Sequence, residues 1–304
     1  MKAVIVGANG YIGYNLTEYL VKQGVEVVAL VPQGFDYAHV QQLHVRCVEF
    51  TLDSLHEVEM DACKNADVLF NMVWVGFNQA DRDNAEIQAS NLLYNVRVVE
   101  FTKNHGIPKL IVPGSAAQYA CGQGVIDGKG LPAPPNLYAA AKTAAYEYCK
   151  VLCEKSGVQL VWTLITSIYG PGRNDNNLIT YAIKTLLKGE RPSFTGLEQQ
   201  WDYLYINDLM KALYLLALNE LHYLVYPIGS GEHRQMREYV EIIRDSINPT
   251  LPLGIGDKPY MSALIDNQIM DICALVDDTS FKADYTFEEG ISIVIDDFRR
   301  KTLE

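Results

Sequence analysis

The sequence predicts a doubly wound α/β fold, a parallel sheet with helices on both faces, and three observations carry that prediction. Short β-branched runs alternate with helix-length segments up to residue 165. A glycine turn joins the first run to the first helix. The alternation stops near residue 170, where loops take over.

The first strand is Ala3-Val4-Ile5-Val6, apolar throughout as a buried parallel strand must be. Gly7-Ala8-Asn9-Gly10-Tyr11-Ile12-Gly13 follows, then Tyr14-Asn15-Leu16-Thr17-Glu18-Tyr19-Leu20 at helical spacing. Gly7 lets the chain turn sharply, Gly10 lets a pyrophosphate approach the backbone, and Gly13 lets helix and sheet pack closely. A phosphate at this point meets unpaired N–H groups and the positive end of the helix dipole. The spacing is G-x-x-G-x-x-G rather than the G-x-G-x-x-G of ordinary dinucleotide dehydrogenases. Its place after a strand and before a helix is what points to a nucleotide.

Residues 25–31, ended by Pro32 and Gly34, read as the second strand, 45–50 as a further short one, and 66–72 as the next. A helix over 83–105 is closed by Gly106 and Pro108, and a strand covers 109–112. A helix over 138–156 ends at Gly157, and 158–165 supplies the sixth strand. Beyond Gly170-Pro171-Gly172 the pattern predicts an amphipathic helix at 178–188, a strand and helix within 201–218, and a short strand at 224–228 that extends the sheet. The chain accordingly divides into a dinucleotide-binding part, 1–170 with 196–230 returning to it, and a smaller substrate-binding region from 171–195 and 231–304.

At 304 residues and 49% hydrophobic, the chain can bury a full core. A net charge of -12 argues against nucleic acid or an acidic membrane surface, because either needs a basic footprint. Positive charge for a phosphate must come from backbone or a few side chains. The six cysteines, Cys47, Cys63, Cys121, Cys149, Cys153 and Cys273, form no C-x-x-C pair and no zinc-spaced cluster, so no metal is expected. Cys149 and Cys153 lie one helical turn apart and read as core. No secretory apolar segment precedes the first strand and no stretch is long enough to span a bilayer, so the expected location is the cytoplasm, with no membrane partner.

Tyr138-Ala139-Ala140-Ala141-Lys142 puts a phenol and an ammonium four apart on one helix face. Lysine beside a phenol favours phenolate and draws the tyrosine pKa from about 10 toward working pH, making it a usable acid or base. Alone, the pair is equally an exposed polar face of an alanine-rich helix. The glycine turn upstream gives it weight.

With these two segments in hand, the chain resembles the extended short-chain dehydrogenase/reductase family, the NAD-dependent nucleotide-sugar epimerases, dehydratases and reductases. Asn91 stands where that family places a structural and proton-relay asparagine. Val112-Pro113-Gly114-Ser115-Ala116-Ala117-Gln118-Tyr119 resembles its serine-bearing strand end, and Ser115 matches the catalytic hydroxyl. Ser167-Ile168-Tyr169-Gly170-Pro171-Gly172 is similar to its V-Y-G-P-G segment, and Trp201-Asp202-Tyr203-Leu204-Tyr205-Ile206-Asn207-Asp208-Leu209 to its R-D-F-V-Y-V-D-D-L segment.

The resemblance implies a Rossmann-type sheet, an NAD(P) cofactor, a nucleotide-sugar substrate, hydride transfer between a nicotinamide ring and a sugar carbon, and a homodimer built through two helices per subunit. Tyr138 would exchange the proton on the sugar oxygen, Ser115 would hydrogen-bond that oxygen, and Lys142 would hold the nicotinamide ribose and lower the Tyr138 pKa. Cofactor contacts are implied for Gly7, Asn9, Gly10, Tyr11, Ile12, Gly13, Gln33, Asp53, Met72, Tyr138, Lys142, Ser167 and Ile168. Substrate contacts are implied for Ser115, Tyr119, Tyr169, Asn177 and Trp201.

Departures from the family pattern narrow the reaction. Its 4,6-dehydratases carry an Asp-Glu pair directly after the catalytic hydroxyl, where this chain has Ala116 and Ala117, and its epimerase-reductases carry a cysteine at the position of Ala117. A methyl group transfers no proton, so C4 epimerisation or reduction of a 4-keto sugar nucleotide survives. Val31-Pro32-Gln33-Gly34 lacks the acid with which NAD-type members hold the ribose hydroxyls, and also the arginine of NADP-type members. Gln33 or a residue of 35–44 would have to serve. Loss of the acid removes repulsion against a 2′-phosphate and tilts the reading to NADP, hence to a reductase. Thr51 replaces an adenine-contacting aspartate, with Asp53 as a substitute, and Trp201 replaces a phosphate-binding arginine, leaving Arg173, Arg191 or Arg234 to supply the charge. Two further readings stay open: a reductase of another small carbonyl compound, and a non-catalytic dinucleotide sensor.

Overall fold

The computed structural model describes residues 1–57, 60–78, 80–119, 124–173, 175–260 and 267–303. In chain order the elements are β1 (Lys2–Val6), α1 (Tyr11–Lys22), β2 (Glu26–Pro32), α2 (Ala38–Gln41), β3 (Arg46–Phe50), β4 (Val68–Asn71), α3 (Ala85–Asn104), β5 (Lys109–Pro113) and β6 (Val125–Ile126). Then come α4 (Leu137–Ser156), β7 (Gln159–Ile165), β8 (Ser167–Tyr169), α5 (Leu178–Leu187), β9 (Gln200–Trp201), β10 (Tyr203–Tyr205) and α6 (Ile206–Leu218). The chain closes with β11 (Val225–Ile228), β12 (Arg234–Gln235), α7 (Met236–Ile247), β13 (Ile269–Met270), α8 (Cys273–Thr279) and α9 (Phe287–Leu303).

Seven strands make one parallel sheet in the order β11-β7-β5-β4-β1-β2-β3, the Rossmann-like winding that the alternation predicts. The chain steps outward from β1 to β3 and returns to the other side of β1 at β4. That reversal opens a crevice beyond the carboxyl ends of β1 and β4, with Val6 in register with both Leu30 and Asn71. Because a strand's side chains alternate between faces, β1 feeds two cores. Ala3 and Ile5 join Leu16 and Leu20 of α1 on one side, and Val4 and Val6 join Val98 and Phe101 of α3 with Cys149 and Cys153 of α4 on the other. The two α4 cysteines are core, as their spacing suggests. Cys121 lies outside the described residues.

The core under α1 continues without a break through Ile183 of α5, Val240 of α7 and Ile291 of α9. That continuity explains why no linker separates the two parts in the sequence. Among the described residues no helix is long and apolar enough to cross a membrane, and no cluster of His, Cys, Asp and Glu fit to hold a metal ion is present.

The strand expected at the start of 201–218 is two short ones, β9 and β10, broken at Asp202. Asp202 is buried and accepts the Ser230 N–H at 3.0 Å, tying β10 to the end of β11, while Thr166 Oγ1 donates to its backbone oxygen at 2.7 Å. Burial pushes its carboxyl up to about 7. The unfolded chain then releases this proton near pH 4 while the folded protein keeps it to about 7, so this group's contribution to stability is full in acid and is lost as pH rises through that window. Asp202→Asn retains an oxygen for Ser230 and has no proton to lose. The difference in denaturant midpoint between parent and variant is expected to move in favour of the variant between pH 4 and 7. A difference that stays constant over that range would refute the assignment.

Candidate active site

β5 ends at Pro113, and Gly114 donates to Thr163 O at 2.6 Å. A Cβ at Gly114 would stand 2.6 Å from that same oxygen, so only glycine lets the chain leave the sheet here. Ser115 begins a tight 3-10 turn, residues Ala116–Tyr119, whose start is pinned by Gln118: its Oε1 accepts from Ser115 N at 3.1 Å and from Trp162 Nε1 at 3.3 Å. Ser115 Oγ accepts from Ala117 N at 3.2 Å, and the Ser115 hydroxyl lies close enough to the Tyr138 phenol to favour its ionised form.

Tyr138 sits in the first turn of α4, which Asn136 caps by accepting from Ala139 N at 2.9 Å. The chain just before α3 docks on that turn. Tyr138 N donates to Arg82 O at 2.8 Å, Leu137 N donates to Asp83 Oδ1 at 3.1 Å, and the Arg82 guanidinium lies 5.1 Å from the Tyr138 ring centroid. Burial raises the Tyr138 pKa, and the nearby Ser115 hydroxyl, then Arg82 and Arg173, oppose that rise. Lys142, cast by sequence reasoning in that opposing part, is turned away. Its Nζ donates to Pro113 O at 2.6 Å and lies 3.7 Å from the Trp74 ring centroid but 6.0 Å from that of Tyr138. Burial brings Lys142 down to about 7.

The glycine turn opens the other end of the site. Gly7, at φ 83°, donates to Leu30 O at 2.9 Å, and Gly10 caps α1 with no side chain satisfying the helix's first N–H groups and no acid in its first turn. A Cβ on Gly10 would meet nothing nearer than 3.5 Å, so that side stands open; one on Gly13 would fall on the Gly7 carbonyl oxygen. Free N–H groups, an open approach and a close helix–strand contact fit a diphosphate. The Tyr11 hydroxyl, buried and with no hydrogen-bond partner among the described residues, lies beside Gly170, with the Arg173 guanidinium 6.0 Å from the Tyr11 ring.

Of the remaining positions named from sequence, Met72 is joined to the turn's strand through its N–H on Val6 O at 2.8 Å. Asn9 O lies 3.2 Å from His39 Nε2, and Gln33 is exposed at the end of β2. Asp53 is ion-paired with Arg97 at 2.7 Å. Asn91 is saturated by backbone: Val75 N and O, each at 2.8 Å, and Ile87 O at 3.0 Å. Ser167 Oγ accepts from Trp201 Nε1 at 3.0 Å, which joins those two segments, and Ile168 O accepts from Arg173. Tyr169 is buried among Tyr203, Tyr205 and Phe287, Tyr119 is buried in the core under α4, and Asn177 caps α5. All three candidate phosphate cations are ion-paired, Arg173 with Asp175, Arg191 with Asp257 and Arg234 with Glu288. Arg173 is the one placed beside Tyr11 and acting on Tyr138.

Sequence reasoning passed over Arg82, Trp74 and Gln88. Asp81-Arg82-Asp83 reads as a solvated charge run, and nothing in it signals a ring partner. Trp74 did carry a signal: it stands just past the carboxyl end of β4, where ligands of open parallel sheets bind.

The family model described as "NAD dependent epimerase/dehydratase family" matches residues 3–229. The chain is 23% identical over 319 residues to the GDP-6-deoxy-D-mannose reductase of Pseudomonas aeruginosa, covering 99% of this chain and 98% of that one. To the dTDP-4-dehydro-6-deoxyglucose reductase of Escherichia coli it is 20% identical over 312 residues, covering 98% of each. Among solved structures, the UDP-glucose 4-epimerase of Thermotoga maritima superposes with TM-score 0.84 at 18% identity over 100% of both chains. The UDP-glucuronic acid 4-epimerase of Bacillus cereus, in complex with NAD, superposes with TM-score 0.86 at 16% identity, covering 99% of this chain and 100% of that one. The match spans the glycine turn, the Ser115 turn and the Tyr138 helix together, and the chain belongs to the NAD dependent epimerase/dehydratase family.

Proposed function

We propose that the chain is an NAD(P)-dependent oxidoreductase or epimerase of a nucleotide sugar, in its simplest form a 4-keto sugar nucleotide reductase or C4 epimerase. The observation that carries this reading is the Ser115 hydroxyl beside the Tyr138 phenol at the carboxyl end of the sheet, linked to the glycine turn through Val73 and Trp74. The backbone N–H groups at the start of α1 would hold the diphosphate of the dinucleotide, and the Arg173 guanidinium, paired with Asp175, lies 6.0 Å from the Tyr11 ring at that helix start. Bound there, the nicotinamide supplies or accepts the hydride at the sugar carbon.

The protein's own part is proton handling. Ser115 Oγ, oriented by Ala117 N, donates to the sugar oxygen, and Tyr138 Oη passes its proton to that oxygen or takes one from it. A phenol whose pKa burial has raised keeps its proton at neutral pH, which suits it as the acid in ketone reduction. Arg82 and Arg173 stabilise the phenolate left behind. Ala116 and Ala117 offer no second acid or base, so elimination of water has no agent here. The two reductases among the relatives support this direction.

The NADP preference rests on the exposed, uncharged Gln33 at the end of β2, where no acid repels a 2′-phosphate; His39 Nε2 lies 3.2 Å from Asn9 O. We further read the protein as a cytoplasmic homodimer joined through α3 and α4, whose packed pair leaves Leu93, Tyr148 and Val151 exposed. Residues 1–170 with 196–230 would carry the dinucleotide, and 171–195 with 231–304 the substrate.

A panel of UDP-, dTDP-, GDP- and CDP-sugars with NADH and NADPH, followed by nicotinamide absorbance, tests the whole reading. Turnover on a 4-keto sugar nucleotide with tighter NADPH binding is the expected result. Far tighter NADH binding would overturn the NADP preference, and nucleotide binding without turnover on any sugar would favour a sensor.

A further inference from the structure

The segment between β4 and α3 runs through the crevice. Val73 lies so near the glycine turn that a Cβ on Gly7 would come within 2.6 Å of its Cγ2, which puts the next residue, Trp74, where the sheet order reverses. The indole there has three contacts. Lys142 Nζ stands 3.7 Å from its ring centroid, the Tyr138 ring meets it edge-on at 5.8 Å, and its Nε1–H donates to Gln88 Oε1 at 3.2 Å. Gln88 is itself buried and fixed, its Nε2 donating to Gly76 O at 2.7 Å and Asp81 O at 3.0 Å. Lys142 is buried with the Pro113 carbonyl on one side, so the indole closes its approach from the crevice.

We propose that Trp74 is a latch on the dinucleotide site: its indole rests on the Lys142 ammonium and swings off when a nicotinamide ribose takes that place. The inference rests on reading Lys142 as the ribose-binding group. Opening gives up a desolvated cation–π contact and a hydrogen bond, so the binding-competent form is the minor one and apparent affinity falls in proportion to its population. The fall of the Lys142 pKa to about 7 is consistent with an ammonium shut away from water. Among the described residues its neighbours are the Trp74 and Tyr138 rings and the Pro113 carbonyl, with no carboxylate paired to it.

Stopped-flow binding of NADPH and NADH to the parent and to Trp74→Ala tests the latch, with acetylation of Lys142 by acetic anhydride followed by peptide mass spectrometry in the absence of nucleotide. The parent's binding rate is expected to level off at high dinucleotide, because opening limits it. Trp74→Ala is expected to show a rate that climbs linearly, about tenfold tighter binding, and Lys142 acetylation about tenfold faster. Trp74→Phe keeps an aromatic face and loses the Gln88 bond, so it falls between the two. It also carries the test should the alanine variant melt early. Binding no tighter and acetylation no faster than in the parent would overturn the latch and leave the dinucleotide site standing. Faster acetylation with no binding of either dinucleotide by any of the proteins would overturn the dinucleotide reading of Lys142, and the latch with it.

Discussion

Tyr138→Phe is expected to lower turnover on the nucleotide sugar at least about a hundredfold, the scale of a lost general acid or base, while dinucleotide affinity stays near that of the parent. The substitution removes one oxygen and keeps the ring. Its edge contact with Trp74 at 5.8 Å and the Arg82 guanidinium at 5.1 Å survive, and so does the N–H that Tyr138 donates to Arg82 O. Losing the polar interaction with the nearby Ser115 hydroxyl costs at most about 1 kcal/mol of stability, too little to unfold the protein. A second readout separates acid chemistry from positioning. Burial holds the Tyr138 pKa above its ordinary value, so parental ketone reduction should stay level through neutral pH and decline only beyond the ordinary tyrosine range, about 10. The variant should show no such alkaline limb. Turnover near the parental rate would remove Tyr138 from the proton-transfer role.

How much of this was legible in the sequence follows from how local each determinant is. The central strands were visible because parallel strands buried on both faces leave near-continuous apolar runs, as in β1, β2 and β7. The long helices were bracketed by their own ends: α4 stops at Gly157, which takes φ 70°, and α3 starts at the capping side chain of Asn84. The two-residue strands β6, β9, β12 and β13 have no period to read; they form where loops meet. The α7, α8 and α9 helices went unplaced in a stretch whose apolar residues are spread among loops.

The site divides the same way. Tyr138 and Lys142 could be named from spacing, and Ser115 from the family resemblance. The direction in which Lys142 points is a tertiary fact, set by Trp74 arriving from a different strand end. The cations that act on Tyr138, Arg82 and Arg173, stand 56 residues before it and 35 after it, and only the fold brings them to one phenol.

Gly13→Ala is expected to damage fold and binding together, and Gly10→Ala binding alone. The methyl group at residue 13 would fall on the Gly7 carbonyl oxygen and come within 2.9 Å of Ala8 Cα, backbone atoms that no rotamer change can move. The helix cannot retreat cheaply, because Leu16 and Leu20 are fully buried against the sheet. Overpacking of this kind costs up to about 3 kcal/mol, seen as a melting temperature several degrees lower. Tilting the start of α1 would also misdirect the N–H groups that meet the diphosphate. Loss of even one charge-assisted hydrogen bond weakens dinucleotide binding about tenfold or more. At residue 10 the backbone is extended, φ -74° and ψ 166°, and an added Cβ meets only Gly7 O at 3.5 Å, so alanine fits the protein itself. What it blocks is the space a phosphate needs, so the Gly10→Ala protein should melt like the parent and bind NADH and NADPH at least about tenfold more weakly. Parental binding by Gly10→Ala would move the diphosphate elsewhere, whereas parental melting by Gly13→Ala would show that α1 can lift from β1 without cost.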